Sequence, residues 1–176
     1  MSRAGLAAFA PSFTYPPPSE LEVPSGRGFI ALLEAFRATG GTAPADVLAR
    51  LLEEYQLGRA CSLTQLVQLV QLVHTGQVFG FEWRSSLWIP MFQFEAQDLA
   101  LKAEAQEVRA ALPQLWSGWA VAAWFAGANA HLAQCRPVDM LASDFEAVRR
   151  AASAVQSVGG FNPVHGRRAE GLGLRG

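Results

Sequence analysis

The sequence is poor in charge. Only 16% of its 176 residues are Asp, Glu, Lys or Arg, against 51% hydrophobic, and the net formal charge is −1. That balance gives the whole chain no pull towards nucleic acid or membrane and leaves local patches to act. The apolar content excludes global disorder, because it is ample for a core. Cysteine is almost missing: Cys61 and Cys135 stand far apart. This excludes a dense disulfide framework and suits buried thiols in a cytoplasmic protein. No apolar run is long enough to span a bilayer. The start, MSRAGLAAFAPS, has too short and too alanine-rich an apolar stretch for a signal peptide, and reads as a disordered arm.

Catalytic signatures are also missing. There is no glycine-rich phosphate loop before a helix, no G-x-S-x-G and no zinc-ligand spacing. His74, His131 and His165 are scattered. His131 and Cys135 lie four apart, so a shared helix face would allow a Cys–His pair to activate a thiolate; a short capped turn with a buried cysteine is the simpler reading. Asp139 and Asp144 sit near helix starts, where carboxylates are stabilised by unpaired amides, so capping is favoured over acid–base work. The expectation is a protein that is not an enzyme and uses no cofactor or metal.

What the chain does have is helical periodicity. Residues 1–25, with TYPPPSELEVPSG, read as a proline-rich arm. GFIALLEAFRA (28–38) spaces Phe29, Ile30, Leu32, Leu33 and Phe36 for a helix, which Gly40 and Gly41 stop. Thr42 is placed to cap the next helix and Pro44 to sit in its first turn, over 44–56. A third helix opens at Ser62, where S-L-T-Q forms a capping box between Ser62 and Gln65. SLTQLVQLVQLVH has Gln65, Gln68 and Gln71 as its polar stripe, and no charged residue occurs from Ala60 to Phe81. Such a helix is buried on most sides or forms an interface, with a homo-oligomer as one outcome.

VFGFEWRSSLWIPMFQF (78–94) switches to period two. Phe79, Phe81 and Trp83, then Trp88, Phe92 and Phe94, alternate on two strands around an Arg84-Ser85-Ser86 turn. Pro90 makes its strand an edge there, or breaks it. The remainder reads as helix: 101–112 up to Pro113; 114–127, with Trp116, Ala120 and Trp124 on one face; a turn capped by Asn129; a short helix from Pro137; and a helix with a Ser143–Glu146 capping box. The glycine-rich, basic segment 159–176 reads as a flexible tail. The expected fold is α+β and mostly helical, with a helix-turn-helix-like unit and hairpin over 26–95 and a helical domain over 96–158.

Helices 44–56 and 62–74, followed by a hairpin as wing, match a helix-turn-helix in order and turn length. HTGQVFGFEWRSSLWIPMFQF (74–94) resembles excisionase-like and MerR-like winged modules. On that reading the DNA contacts fall to Arg59, Gln65, Gln68, Gln71 and Arg84, with the glutamines reaching adenine edges. Phosphate contacts supply most of the affinity in such complexes, and the candidate recognition helix carries no Lys or Arg. The competing reading makes the same elements a packed core.

WFAGANAHLAQCRPVDMLASDFEAVRRAASAV (124–155) resembles the toxin-binding domain of the Xre/MbcA/ParS antitoxins. That family has a Trp-rich helix, a Pro-Asn or similar turn, a Leu, a glycine-containing turn, Arg-Pro-x-Asp-x-Leu and a closing helix. Trp124, Asn129, Leu132, Arg136, Pro137, Asp139 and Leu141 stand at those positions. IPMFQF (89–94) resembles the Pro-x-Phe-Gln-Phe segment ahead of that domain, so the resemblance covers about residues 76–158. Ala128 stands where the family has Pro before Asn. Ala133-Gln134-Cys135 replaces its Gly-Gly, and glycine there marks positive φ. The resemblance implies an antitoxin whose partner is a RES-type, NAD-consuming toxin, bound over its active site through the seven residues named, with possible binding to its own operator DNA. The alternative is a winged-helix-like regulator whose C-terminal domain serves oligomerisation. From the residues alone, Arg136, Pro137 and Asp139 also have a purely local reading as helix-start residues.

Overall fold

The computed structural model describes residues 24–55 and 62–158. Arg59, Cys61 and the side chains of Ser62 and Gln65, with the capping box expected there, lie outside the described residues, as do the arm before residue 24 and the tail after 158. Helix α1, Gly26–Phe36, begins where Ser25 Oγ accepts from the Gly28 amide at 3.0 Å. It turns Leu32, Ala35 and Phe36 into the core. After a single 3₁₀ turn, Gly40 and Gly41 adopt φ of 101° and 76°, a double left-handed step that glycine makes without steric cost.

That step overturns one expectation. Thr42–Pro44 does not open the next helix but forms a strand, β1. The glycine turn brings the Gly41 carbonyl to the Met91 amide at 2.9 Å and lays β1 along an otherwise open strand edge, where its backbone groups are satisfied. Helix α2, Ala45–Tyr55, and helix α3, Ser62–His74, follow and pack on each other. Strands β2, Phe81–Trp83, and β3, Ser86–Pro90, then form the hairpin, closed by Arg84 and Ser85 with φ of 48° and 63°. A positive-φ pair is what a tight two-residue hairpin requires, since its twist must match the strands.

The antiparallel sheet runs β1-β3-β2, with Phe81 opposite Trp88 and Trp88 opposite Pro44. Strand β3 is therefore central, and of the two outcomes expected at Pro90, an edge or a break, it is the break: the strand ends there. The chain leaves there into a 3₁₀ turn at Met91–Gln93, so the expected strand up to Phe94 is shortened.

Four helices complete the fold: α4, Ala103–Ala111; α5, Gly118–Ala126; α6, Pro137–Met140; and α7, Phe145–Val158. Helices α4 and α5 are shorter than their periodicity predicts. Leu101 is drawn into a β-bridge with Phe94, and Trp116 precedes Ser117, which caps α5 through the Ala120 amide. The capping box at α7 does not form. Asp144 accepts from the Ala147 amide, Ser143 Oγ donates to the Met140 carbonyl, and Glu146 is engaged by Arg149 at 2.8 Å. The class stands as expected: mostly helical α+β with a small antiparallel sheet.

Two hydrophobic clusters organise these elements. The smaller joins Ala45, Leu48, Leu69, Val78, Ile89 and Phe94. The larger takes α1, the hairpin segment and α4 to α7 into one core. Phe79 stacks on Phe125 at 5.3 Å and Phe92 meets both Phe36 and Phe125, so four rings join α1, the hairpin segment and α5. Between the rings lies Gln93, 4% exposed. Its Oε1 accepts from the Phe79 amide and its Nε2 donates to the carbonyls of Phe79 and Pro90, at 2.9, 2.9 and 3.0 Å. Gly118 packs so closely on the Gly80 backbone that any side chain there would collide with the Gly80 carbonyl oxygen.

Gln93→Leu leaves the Phe79 amide and two carbonyls buried without partners. It should lower the unfolding free energy by about 2–4 kcal/mol, read from urea denaturation. An unchanged midpoint would show that the carboxamide is not structural.

Candidate functional site

The link from α5 to α6 is where the family-like residues gather, and its backbone closes on Asn129. The Asn129 Oδ1 accepts from the His131 amide at 2.9 Å, its carbonyl from the amides of Leu132 and Gln134, and its own amide donates to the Cys135 carbonyl. Closing so short a loop forces the reversal onto Ala133 and Gln134, with φ of 51° and 66°. Neither residue is glycine, so each bears the contact between Cβ and carbonyl that disfavours the left-handed region. His131 and Cys135 flank this reversal and do not share a helix face. Cys135 is an exposed free thiol.

Arg136 and Asp139 form a bidentate pair across the first turn of α6, at 2.6 and 3.0 Å, with side chains 38% and 39% exposed. The other family-like positions divide differently. Leu132, Pro137 and Leu141 are buried and belong to the core. Trp124 is half-buried, edge-on to Phe125 at 5.0 Å, and its indole N–H has no acceptor among the described residues. Of the seven positions expected to contact a partner, Arg136 and Asp139 offer charge to solvent, and Leu132, Pro137 and Leu141 shape the surface from beneath.

Beside this loop runs an open groove of about 320 Å³ lined by His131, Ala147, Arg150, Ala151 and Ala154. The sequence reading missed it as a surface. The signal available was Ala147, Arg150, Ala151 and Ala154, which recur at helical spacing on one face of α7.

Comparison with family models, with curated proteins and with solved structures finds no match. The geometry therefore carries the functional reading.

The DNA-contact candidates are placed only in part. Gln68 and Gln71 are exposed on α3. Arg84 is exposed at the hairpin tip, its guanidinium 5.8 Å from the Trp83 ring. Leu69 is buried against α2 and the sheet, while Val67 and Val70 are 54% and 48% exposed. Over the described side chains of this charge-free helix, 67–74, burial on most sides does not hold and an exposed apolar face remains. Among the described residues no group of three His, Cys, Asp or Glu could hold a metal ion, and no helix is long and apolar enough to cross a membrane.

Gln134→Gly relieves the left-handed strain. It should raise stability by about 0.5–1 kcal/mol, seen as a higher thermal midpoint. A lowered midpoint would mean that the Gln134 side chain is needed where it stands.

Proposed function

We propose that this chain is a non-catalytic antitoxin that binds and neutralises a RES-type, NAD-consuming toxin in the cytoplasm. The observation that carries the reading is the loop 129–141. Where the family it resembles has a Gly-Gly pair, this chain has Ala133-Gln134-Cys135, and of these Ala133 and Gln134 take the left-handed backbone that glycine adopts freely. A costly conformation kept without its usual residue argues that the loop's shape is what matters.

The same loop presents the Arg136–Asp139 pair beside the groove of His131 and Arg150. Neutralisation on this reading is occlusion: the chain supplies shape and charge, and no bond is made or broken by it. Arg136 and Asp139 are pre-oriented by each other, so little rotamer freedom is lost when a partner's groups join them.

A second reading has its own support. The order β1-α2-α3-β2-β3, with exposed Gln68 and Gln71 on α3 and Arg84 at the hairpin tip, suits a winged-helix-like unit bound to operator DNA. It is compatible with the first as autoregulation, or stands alone with the C-terminal helices serving oligomerisation. The absence of Lys and Arg from α3 predicts weak binding led by flanking residues, with a shallow salt dependence because few phosphates are neutralised.

Co-expression with a RES-type protein encoded beside this one tests the antitoxin reading. The expected result is a stable complex and preserved cellular NAD. The pair Arg136→Ala and Asp139→Ala should weaken the complex about tenfold or more while changing stability by less than about 1 kcal/mol, because the pair is exposed. No complex with the wild-type chain, or unaltered NAD loss, would contradict the reading. A gel shift with upstream DNA at low and moderate salt tests the second, and no shift at either salt removes it.

A further inference from the structure

The two buried polar side chains among the described residues are Gln93 and Arg109, and they differ in one respect. Gln93 has its donors and acceptor paired. Arg109, 8% exposed in α4, has Nε and Nη1 closed off from solvent with no hydrogen-bond partner. Its helix supplies no acid within reach: the positions three and four away are Gln106, Ala105, Leu112 and Pro113. Burial pushes its pKa below the ordinary arginine value, and no acid offsets the shift. A guanidinium nonetheless stays charged in proteins. A buried charge without a counter-charge is strongly unfavourable, which is why such groups are found paired.

Arg109 lines an open groove of about 320 Å³ between the end of α3, the approach to β2 and the start of α5. Val73, Val78, Phe79 and Trp116 line it together with His74, Thr75 and Gln114, and its open surface is mainly polar. None of its described lining residues is Asp or Glu. The groove thus combines one fixed positive charge with a mainly polar surface and no anion of its own.

We propose that this groove is a binding site for a carboxylate, with Arg109 as its anchor. One guanidinium matches one monoanion, and its planar fork suits a carboxylate better than a spherical or tetrahedral inorganic anion. The ligand is either a free short-chain acid or a glutamate side chain of a partner protein. This site lies apart from the Arg136–Asp139 loop, and its test uses the isolated chain, so it stands or falls independently of toxin binding.

The test is a ¹H–¹⁵N titration of the full chain, following the Arg109 Nε–H and the Trp116 indole N–H. Probes are butanoate, an end-capped glutamate, inorganic phosphate and chloride at matched ionic strength. Saturable shifts of both signals with butanoate or with the capped glutamate support the proposal; the tighter of the two names the source. Arg109→Met should abolish the shifts, weaken carboxylate binding about tenfold or more, and leave the ligand-free chain at least as stable, because an unpaired buried charge is removed. No saturable shift with either carboxylate, an equal response to phosphate or chloride, or shifts that survive Arg109→Met would overturn it. A lower thermal midpoint for ligand-free Arg109→Met would mark a structural arginine and overturn it equally.

Discussion

The Gln93 carboxamide substitutes for a missing strand. The segment before β2 cannot pair with β3 at Phe79, because β3 ends at Pro90 and the chain turns away through Met91–Gln93. Gln93 supplies the donor and acceptor that a neighbouring backbone would have offered Phe79, and a second donor to Pro90 itself. Its own carbonyl accepts from the Lys102 amide, so the same residue fixes the approach to α4. In a low-dielectric core a fully satisfied polar residue specifies one arrangement, since each alternative strands buried groups. Phe79 and Phe92 are held with their rings against Phe125, the Gly80 backbone is held against Gly118, and α5 docks as a consequence.

This constraint links the helix–helix–hairpin half to the family-like half. The α5–α6 loop, with Arg136 and Asp139, projects from a helix seated on the ring cluster. The chain's low charge gives this arrangement its character. Long-range steering is weak for a chain of net charge −1. Recognition must therefore come from shape, from a few fixed polar groups and from exposed apolar positions such as Val67 and Val70.

Much of this was legible in the sequence. The period-two rings of residues 78–94 marked a packing surface, and Phe79, Phe81, Phe92 and Phe94 are all at most 5% exposed. Helical periodicity placed every long helix to within a few residues. Strand β1 was not legible, because three residues with one proline carry no strand signal and are recruited by the edge of β3. The cap misread at Ser143 reflects competition with the adjacent Asp144, and α5 starts later than its periodicity suggests because Ser117 caps it. At the candidate site, the motif marked the α5–α6 loop but could not say which residues face outward: Leu132, Pro137 and Leu141 turn inward while Arg136 and Asp139 do not. Arg109 was illegible as a special residue, since its only sequence mark is the lack of an acid one helical turn away.

Hydrogen exchange at the Phe79 amide tests the central claim most directly, because that amide's partner is the Gln93 side chain and not a strand. If Gln93 holds the two halves together, this amide exchanges only through global unfolding, as slowly as the amides of α5 and with the same denaturant dependence. Exchange orders of magnitude faster, while α5 stays protected, would show that the halves open independently and contradict the account.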